Sequence, residues 1–319
     1  MTIERYNSST MRDDWDAFVS RQAVQASFQH LRDYMDYHSD RFPDYSLVAR
    51  EHGRIVAVLP ACRLGSELWS HAGLTYGGWL TEARHIDANI MLELWQQMTG
   101  ALQADGITAV HYKPAPAIYA AYPADEDRYA LFRAGAVIEA SQVASVIDLQ
   151  SPIPYNENMR RNARKALKAG ITIAPSHDYG GYWQLLSGVL AERHGAAPVH
   201  TLAEITMLAD RFPHNIGLLT ATDAGGCMIA GVVTYATAGR VMRSQYIAAN
   251  DRGCDCGALA LLFEHLIADS IRDGYRYLDF GTSNEQGGLI LNAGLLRQKA
   301  AMGGRAVACE SYRLCIAPR

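Results

Sequence analysis

The sequence Arg252-Gly-Cys-Asp-Cys-Gly-Ala258 joins a strand-like run, which ends at Ala249, to a segment with the periodicity of a helix. In that segment the apolar residues recur at helical spacing, at Leu259, Leu262, Phe263, Leu266, Ile267 and Ile271. A break at Asp273-Gly274 follows, and then the strand-like run Tyr275-Arg-Tyr-Leu-Asp-Phe-Gly281. Strand, turn, helix and strand therefore follow one another, which is the order of an α/β unit.

The turn in this unit has the features of an anion site. A glycine-containing turn at the start of a helix presents unpaired backbone N–H groups and the positive end of the helix dipole, which suits a pyrophosphate. The pattern resembles the Arg/Gln-x-x-Gly-x-Gly/Ala loop by which GNAT acyltransferases hold coenzyme A. Asp255 stands where that loop has its middle glycine, and a carboxylate there would repel a phosphate. The residues predicted to contact the coenzyme are Ile247, Ala249, Arg252, Gly253, Gly257 and Ala258.

The chain has the composition of a globular protein. Its 319 residues are enough for two domains of ordinary size. Hydrophobic residues make up 49% of the chain and charged residues 19%, which separates it from disordered sequences. The net charge of −4 gives no general reason to expect binding to nucleic acid. DNA is therefore not expected as a partner, and binding to RNA requires a local basic patch.

The sequence shows no targeting or membrane segment. No apolar run approaches the roughly 18 residues of a spanning helix. The N-terminal Met-Thr-Ile-Glu-Arg lacks a basic region followed by an apolar block, so the expected location is the cytoplasm. The six cysteines show no paired C-x-x-C arrangement, so we expect reduced thiols and no metal site.

The two halves of the chain have the same order of elements. Each has a strand pair around a turn, at Glu51-His-Gly53 in the first half and at Asp223-Ala-Gly-Gly226 in the second. A further strand, a helix, an Asp-Gly break, another strand, a short helical segment and a final strand pair follow in both halves. We therefore predict two copies of one α/β unit. Pro152 and Pro154 mark the boundary between them, which gives domains at 1–150 and 151–319.

Several motifs spread over the chain are similar to those of a known family. They are Asp36-Tyr-His-Ser-Asp-Arg-Phe42, Gly73-Leu-Thr-Tyr-Gly-Gly78, Arg193-His-Gly-Ala-Ala-Pro-Val-His200, Asp279-Phe-Gly-Thr-Ser-Asn-Glu285 and Leu291-Asn-Ala-Gly-Leu-Leu-Arg-Gln-Lys299 with Gly303-Gly-Arg305. Together they resemble the tandem-GNAT acetyltransferase-like proteins of bacteria, which are relatives of the Fem-type aminoacyltransferases that build peptidoglycan bridges. The resemblance implies an α/β fold of two GNAT units, each with a mixed central sheet that is flanked by helices and opens between its fourth and fifth strands. It also implies an acyl donor, either a thioester such as acetyl-CoA or an aminoacyl-tRNA ester.

Acyl transfer to an amine needs a base for the ammonium proton and donors for the developing oxyanion. We expect these groups in the loop after the strand Tyr275–Phe280, because such loops lie at the carboxyl edge of a sheet. Glu285 is the first choice for the base, with Asp279 as an alternative or an orienting partner and Ser283 between them. His194 is a further candidate, because histidine titrates near neutral pH. A turn cap and a solvated carboxylate are the structural alternatives for the two acidic residues.

Polar and aromatic residues crowd the region Tyr34–Phe42, a mixture that suits sugar or nucleotide substrates. Other polar residues stand near predicted strand ends in the first copy and in the loop at the entrance of the second copy. Further ones lie on the predicted strand Met242–Ile247 and on the last helix of the second copy. The predicted substrate-binding residues are His38, Arg41, His71, Tyr76, Lys113, His200, Gln245 and Lys299. A polar loop with internal salt bridges is the alternative interpretation of the first region.

A predicted helix over 157–169 carries four cations at i, i+3, i+4 and i+7, which places them on one face. These residues are Arg161, Arg164, Lys165 and Lys168. Such a face can hold a phosphate-bearing donor or acceptor such as tRNA. A solvated helix face is the alternative.

The leading hypothesis is a cytoplasmic N-acyltransferase that moves an acetyl or other acyl group from coenzyme A to an amine on a sugar or small metabolite. The alternative is an aminoacyl-tRNA-dependent, Fem-like transferase that forms an amide in cell-wall or natural-product assembly. It is favoured by the cationic helix and by Asp255. A third hypothesis is a non-catalytic module that binds a glycan or nucleotide through Tyr34–Phe42. The acceptor, the acyl group and the oligomeric state are left open by the sequence.

Overall fold

The computed structural model describes residues 1–84, 86–237 and 239–317, with the side chain of His194 outside the description. The chain forms two compact units. Unit 1 comprises Met1–Gln142, Gln286–Ile290 and Ala308–Arg319, and unit 2 comprises Val143–Glu285 and Leu291–Val307. Both units are mixtures of strands and helices, so the predicted α/β class is confirmed. The boundary near residue 150 stays a prediction about where a separable domain begins.

The strands, in chain order, are β1 Thr2–Arg5, β2 Leu47–Glu51, β3 Arg54–Leu59, β4 Cys62–Leu64, β5 Glu67–Trp69, β6 Leu80–Thr81, β7 Ala109–Tyr112, β8 Val137–Asp148, β9 Thr172–Ser176, β10 Ile216–Thr222, β11 Met228–Thr237, β12 Val241–Ala249, β13 Tyr277–Thr282, β14 Asn284–Glu285, β15 Ile290–Leu291 and β16 Arg305–Cys315. The helices are α1 Ser8–Arg21, α2 Arg32–Met35, α3 Ala88–Ala104, α4 Glu126–Arg133, α5 Glu157–Lys168, α6 Tyr179–His194, α7 Leu202–Arg211, α8 Asp251–Cys256, α9 Ala258–Arg272 and α10 Ala293–Ala301. None of these helices is long and apolar enough to cross a membrane.

Unit 1 contains an antiparallel sheet in the order β1-β2-β3-β6, while β5 pairs in parallel with β7. Helix α3 covers the core because its apolar residues recur on one face, and it begins where the Asp87 side chain accepts hydrogen bonds from the first free N–H groups. Trp79, Trp95 and Tyr112 are the largest side chains of this core.

Unit 2 is built on a sheet in the order β8-β13-β12-β11-β10-β9. Only the pair β12–β13 is parallel among the described strand pairs of this unit. Helix α9 packs its apolar residues on the sheet, and α5 packs on α9 through Ala163 and Ala166. The predicted hairpin at 216–237 and the predicted strand near Tyr275–Phe280 are both confirmed.

Strands β12 and β13 separate part of the way along their length. Their described pairing is Val241–Arg243 with Tyr277–Asp279, although β12 continues to Ala249 and β13 to Thr282. A β-bulge at Gln245 follows directly, where the register of β12 on β11 shifts by one residue. A bulge bends the strand that carries it, so β12 turns away from β13 and a cleft opens in the sheet.

The predicted turn at 252–258 is wrong for most of its length, because Asp251–Cys256 form α8. The side chain of Asn250 accepts a hydrogen bond from the N–H of Gly253 at 2.9 Å and so caps this short helix. A turn is present only at Gly257, whose φ of 82° breaks the chain between α8 and α9.

Candidate active site

A cavity of about 240 Å³ occupies the place where β12 and β13 separate. Ile247 and Ala249 line it from β12, Phe280 lines it from β13, and Lys299 lines it from α10. These walls are mainly apolar, and Lys299 brings an ionisable group to them. The cleft can therefore hold an acyl group and its carbonyl next to a cation.

Lys299 is buried, with 3% of its surface exposed. Its Nζ donates hydrogen bonds to the carbonyl oxygens of Gly281 at 2.9 Å and Thr282 at 2.7 Å. Burial lowers the pKa of this ammonium to about 8, with the Asp279 carboxylate opposing the shift and the Arg243 guanidinium adding to it. An ammonium has three N–H donors. Since the described residues provide no third acceptor, one N–H of Lys299 remains for a ligand in the cleft.

Asp279 is ion-paired and buried, with 1% of its surface exposed. Its Oδ2 lies 2.9 Å from Nη1 of Arg243, and its Oδ1 accepts the N–H of Gly281 at 2.7 Å. Arg243 also donates from Nε to Oε1 of Gln245 at 3.1 Å. This geometry suits Asp279 to an orienting role, because both carboxylate oxygens are already engaged. Gln245 is brought beside the same ion pair.

Glu285 and Ser283 differ in their surroundings. Glu285 is exposed, and its Oε1 accepts a hydrogen bond from Nδ2 of Asn292 at 2.9 Å. Ser283 is buried, its backbone N–H bonds to the oxygen of Val143 at 2.9 Å, and its Oγ has no partner among the described residues. Neither residue lines the cleft cavity. Their catalytic roles stay predictions.

His200 lies beside Tyr246, a residue of β12. Nδ1 of His200 is 2.5 Å from the Tyr246 hydroxyl, and Nε1 of Trp183 donates to the His200 carbonyl oxygen at 3.1 Å. These contacts fix the loop between α6 and α7 on β12, one residue from the bulge. The other predicted histidine, His194, ends α6, and its side chain lies outside the described part of the structure.

A second depression, of about 540 Å³, lies between α6 and the start of α8, and Val189 and Arg193 line both cavities. The two arginines that line it are both paired with carboxylates. Nη2 of Arg193 is 2.7 Å from Oδ1 of Asp251, and Nη1 of Arg252 is 2.8 Å from Oδ2 of Asp223. The groove therefore adjoins the cleft but offers cations that already have carboxylate partners.

The start of α8 does not fit the pyrophosphate of coenzyme A in the predicted manner. The N–H of Gly253 is taken by Asn250, and Asp255 is an exposed acid on the same short helix. Gly253 is required for packing, because a Cβ there would lie 2.3 Å from the backbone oxygen of Ile229. A Cβ at Gly257 would likewise lie 2.6 Å from the backbone oxygen of Asn162. Both glycines thus bring α8 close to neighbouring backbone.

The predicted coenzyme contacts fall into separate groups. Ile247 and Ala249 line the cleft, whereas Arg252 lines the adjoining groove. Gly253 and Ala258 are buried in the packing of α8 and α9. The apolar wall of the cleft and the start of α8 are therefore separate surfaces, and the predicted phosphate-binding turn is not formed at 252–256.

In unit 1 the structure brings part of the predicted substrate group together. The rings of His38 and His71 stack with centroids 5.1 Å apart. Tyr76 is buried against His30, with ring centroids 5.7 Å apart. Arg41, with 43% of its side chain exposed, lies by Tyr37 at the surface. Lys113 follows β7 next to the loop that carries His71.

The cationic face of α5 is exposed as predicted. Its charged residues are Arg160, Arg161, Arg164, Lys165 and Lys168. No carboxylate forms an ion pair with them within the described ranges, although Lys165 donates from Nζ to the backbone oxygen of Asp255. The backbone N–H of Asn156, which caps α5, bonds to the oxygen of Ala301 at 3.0 Å. Helix α5 is thus attached to α8 and α10, of which α10 lines the cleft.

The described residues contain no group of histidine, cysteine, aspartate and glutamate that is suited to hold a metal ion.

Residues 155–286 match the family described as "Acetyltransferase (GNAT) domain". In the comparison with curated proteins, nothing matches the chain. Among solved structures, FemX superposes with a TM-score of 0.68 at 11% identity, over 99% of this chain and 97% of that chain. The C-terminal domain of a putative lysylphosphatidylglycerol synthetase from Agrobacterium fabrum gives a TM-score of 0.63 at 11% identity, over 97% and 92%.

A tandem GNAT protein from the clavulanic acid biosynthesis pathway superposes with a TM-score of 0.55 at 12% identity, over 100% of this chain and 99% of that chain. At such identities a structural likeness shows the fold, while the matched family covers the segment that contains α5, β12 and β13. The chain therefore has the fold of these FemX and tandem-GNAT structures, and its residues 155–286 match the GNAT acetyltransferase domain.

Proposed function

We propose that unit 2 transfers an aminoacyl group from an aminoacyl-tRNA ester to an amine. The observation that carries this proposal is the exposed face of α5, where Arg161, Arg164 and Lys168 have no carboxylate partner among the described residues. Unpaired surface cations on one helix face attract a chain of phosphates, and their neutralisation releases counterions. A tRNA brings such a chain, whereas coenzyme A brings a compact group of phosphates.

The helical form of 251–256 supports the same choice of donor. An acyl-CoA donor needs a phosphate cradle next to the cleft, and α8 has its own cap and the exposed carboxylates of Asp251 and Asp255 there. A tRNA needs no cradle at that position, because its phosphates extend away from the 3′-terminal ester. The acyl end alone then has to enter the cleft.

In the proposed reaction the acceptor nitrogen attacks the carbonyl carbon of the aminoacyl ester. The new C–N bond forms first and gives a tetrahedral intermediate, and a base takes the ammonium proton. The C–O bond to the ribose then breaks, and the ribose oxygen takes up a proton. The carbonyl oxygen is negatively charged in the tetrahedral intermediate. The third N–H of Lys299 is the donor that we assign to this oxygen, and Asp279 holds the end of β13 that carries the other two acceptors.

For the base we propose candidate residues, and for the acceptor we propose a chemical class. Glu285 and His194 stay the proposed bases, with Ser283 as a further polar group of the same loop. The acceptor is an amine on a sugar or small metabolite, in line with the mixture of aromatic and polar side chains in unit 1. The names of two structural neighbours refer to lysylphosphatidylglycerol and to clavulanic acid biosynthesis, which supports an acceptor that is not a protein.

An acyl-CoA donor is the second candidate. The observation that favours it is the groove of about 540 Å³ that adjoins the cleft, because it gives room for a nucleotide beside the acyl site. The guanidinium of Arg252 faces solvent there with 68% of its side chain exposed. In this alternative, the Arg252 guanidinium leaves its ion pair with Asp223 and binds a phosphate of the coenzyme.

Filter binding of total bacterial tRNA tests the choice between these donors. We expect wild-type binding to weaken with salt, and the Arg161→Gln/Arg164→Gln/Lys168→Gln variant to lose most of the binding and of the salt slope. The matched control removes three exposed arginines of unit 1, through Arg21→Gln, Arg84→Gln and Arg133→Gln. It should bind as the wild type does. Equal tRNA binding by both variants, together with saturable binding of acetyl-CoA in calorimetry, would favour the second candidate.

A further inference from the structure

A loop in unit 1 holds His71 beside the end of β7. The backbone N–H of Ser70 bonds to the oxygen of His111 at 2.8 Å, and the N–H of Lys113 bonds to Oγ of Ser70 at 2.8 Å. The N–H of Gly77 closes the other side by bonding to the oxygen of Lys113 at 2.9 Å. The loop 70–77 and residue 113 are thus fixed against each other by their backbones.

His71 has a strained and incompletely satisfied position. Its φ is 58°, in the left-handed region that side chains other than glycine rarely adopt. The residue is 2% exposed, and its Nδ1 has no hydrogen-bond partner among the described residues. Strain and an unmatched buried polar atom both cost free energy, and such positions cluster at ligand sites.

Lys113 is a partly buried cation without an ion-pair partner among the described residues. Its backbone forms the bonds described above. None of the described residues accepts a hydrogen bond from its Nζ or forms an ion pair with it. Burial lowers the pKa of this ammonium, and the thiol of Cys62 is the group that opposes the shift. Removing a charge from water costs free energy unless the charge is paired. An anion beside Lys113 would therefore stabilise this ammonium.

The groups that face His71 are also basic rather than acidic. Burial lowers the pKa of its imidazole well below the usual value, and His38, Arg32, His30 and Lys113 all lower it further. The nearby glycine is fixed by the same cluster, because a Cβ on Gly73 would lie 2.4 Å from Nε2 of His38. The surroundings are therefore preformed. Burial lowers the pKa of His30 and His38, and Asp44 is paired with Arg32, so Lys113 supplies the positive charge.

We propose that Lys113 and His71 form an oxyanion-binding site in unit 1, which takes a phosphate or carboxylate group of a ligand. The ammonium supplies the charge, and an N–H at Nδ1 of the imidazole donates a hydrogen bond to one oxygen. Such a ligand offsets the missing counterion of Lys113 and satisfies Nδ1 at the same time. The site is independent of the donor chemistry in unit 2, because every residue that forms it belongs to unit 1.

Thermal unfolding in the presence of simple anions tests this site in the full chain. Inorganic phosphate, pyrophosphate and acetate are titrated at constant ionic strength, with sodium chloride as the balance. At about ten times its dissociation constant, a bound anion should raise the midpoint by roughly 3 °C. A larger shift with phosphate or pyrophosphate assigns a phosphoryl ligand, and a larger shift with acetate assigns a carboxylate.

Lys113→Met should abolish the shift and should itself unfold at a higher temperature than the wild type without anions, because a desolvated charge is removed. Arg21→Met, which removes an exposed arginine at the end of α1, should keep the full shift. His71→Gly should relieve the strain at φ 58° and weaken the shift without abolishing it. Equal shifts in wild type and Lys113→Met, or no shift with any of the three anions, would overturn the proposal.

Discussion

Arg243 and Asp279 form an ion pair, 2.9 Å from Nη1 to Oδ2, at the last position where β12 and β13 are paired. The carboxylate is 2% exposed and the guanidinium 17%, so water screens this pair weakly. Beyond it, the bulge at Gln245 bends β12 and the cleft begins. The pair therefore fixes the point from which the two strands diverge, and it anchors the strand end to which Lys299 is bound.

Removing one partner of this pair should leave an uncompensated charge in the sheet. We expect Arg243→Met to lower the free energy of unfolding by about 3 kcal/mol. The double variant Arg243→Met/Asp279→Leu should recover a large part of that loss, because it removes both charges. Urea unfolding at neutral pH measures the wild type, Arg243→Met, Asp279→Leu and the double variant. A double variant that is as unstable as the sum of its single variants would show that the two side chains do not interact.

The protonation state of Lys299 should control the rate of acyl transfer. Burial sets its pKa at about 8, so the ammonium donor is present below this pH and is lost as the pH rises through it. The rate constant should therefore fall above pH 8. Lys299→Arg should remove this alkaline limb, and Lys299→Met should lower kcat by about 100-fold, as the loss of an oxyanion donor does. A rate that increases through pH 8 would instead identify Lys299 as a base.

Asp127 in unit 1 should make stability depend on pH. Its Oδ2 accepts the hydroxyl proton of Tyr112 at 2.7 Å, and burial raises its pKa from 3.8 to about 6, with the Tyr112 hydrogen bond and Arg128 opposing the shift. The folded chain thus favours the protonated acid, and its stabilising effect is complete below about pH 4 and lost as the pH rises through 6.

Asp127→Asn should therefore gain stability relative to the wild type by up to about 3 kcal/mol between pH 4 and pH 8. Urea unfolding at several pH values measures this difference, and each protein serves as its own reference at pH 4. A difference that does not change with pH would show that the carboxyl group is not desolvated in the folded state.

The close approach of α8 to its neighbours gives a matched pair of glycine variants. Gly253→Ala should destabilise the chain by about 2 kcal/mol, because its Cβ would lie 2.3 Å from the backbone oxygen of Ile229. Gly100→Ala in α3 meets no atom within 4 Å and should stabilise it by up to about 1 kcal/mol. Thermal unfolding of the two variants checks the signs. Equal effects would mean that α8 can shift away from β11 without cost.

Local patterns in the sequence predicted most of the elements. The cap at Asp87 and the break at Gly106 bracket α3, and the apolar spacing after Ala258 predicted α9. Helix α8 was missed because two glycines in seven residues indicated a turn. Asn250, three residues before Gly253, was the helix-start signal that the pattern contained.

The environment of the candidate site depends on contacts between distant residues, which a pattern does not contain. Lys299 was predicted as a site residue, but its burial and its bonds to Gly281 and Thr282 result from the packing of α10 against the end of β13. The pairing of Asp279 with Arg243 has the same origin, since the two residues meet across parallel strands. The partnership of His200 with Tyr246 was likewise beyond local inference.

The most direct measurement of the central claim is acyl transfer to low concentrations of hydroxylamine, with the spontaneous reaction subtracted. The donors are total tRNA charged with a mixture of radiolabelled amino acids and, in parallel, radiolabelled acetyl-CoA. We predict enzyme-dependent aminoacyl hydroxamate from the tRNA, a loss of about 100-fold in Lys299→Met, and no acetyl hydroxamate. Acetyl hydroxamate as the sole product, or no product from either donor, would contradict aminoacyl transfer in the cleft between β12 and β13.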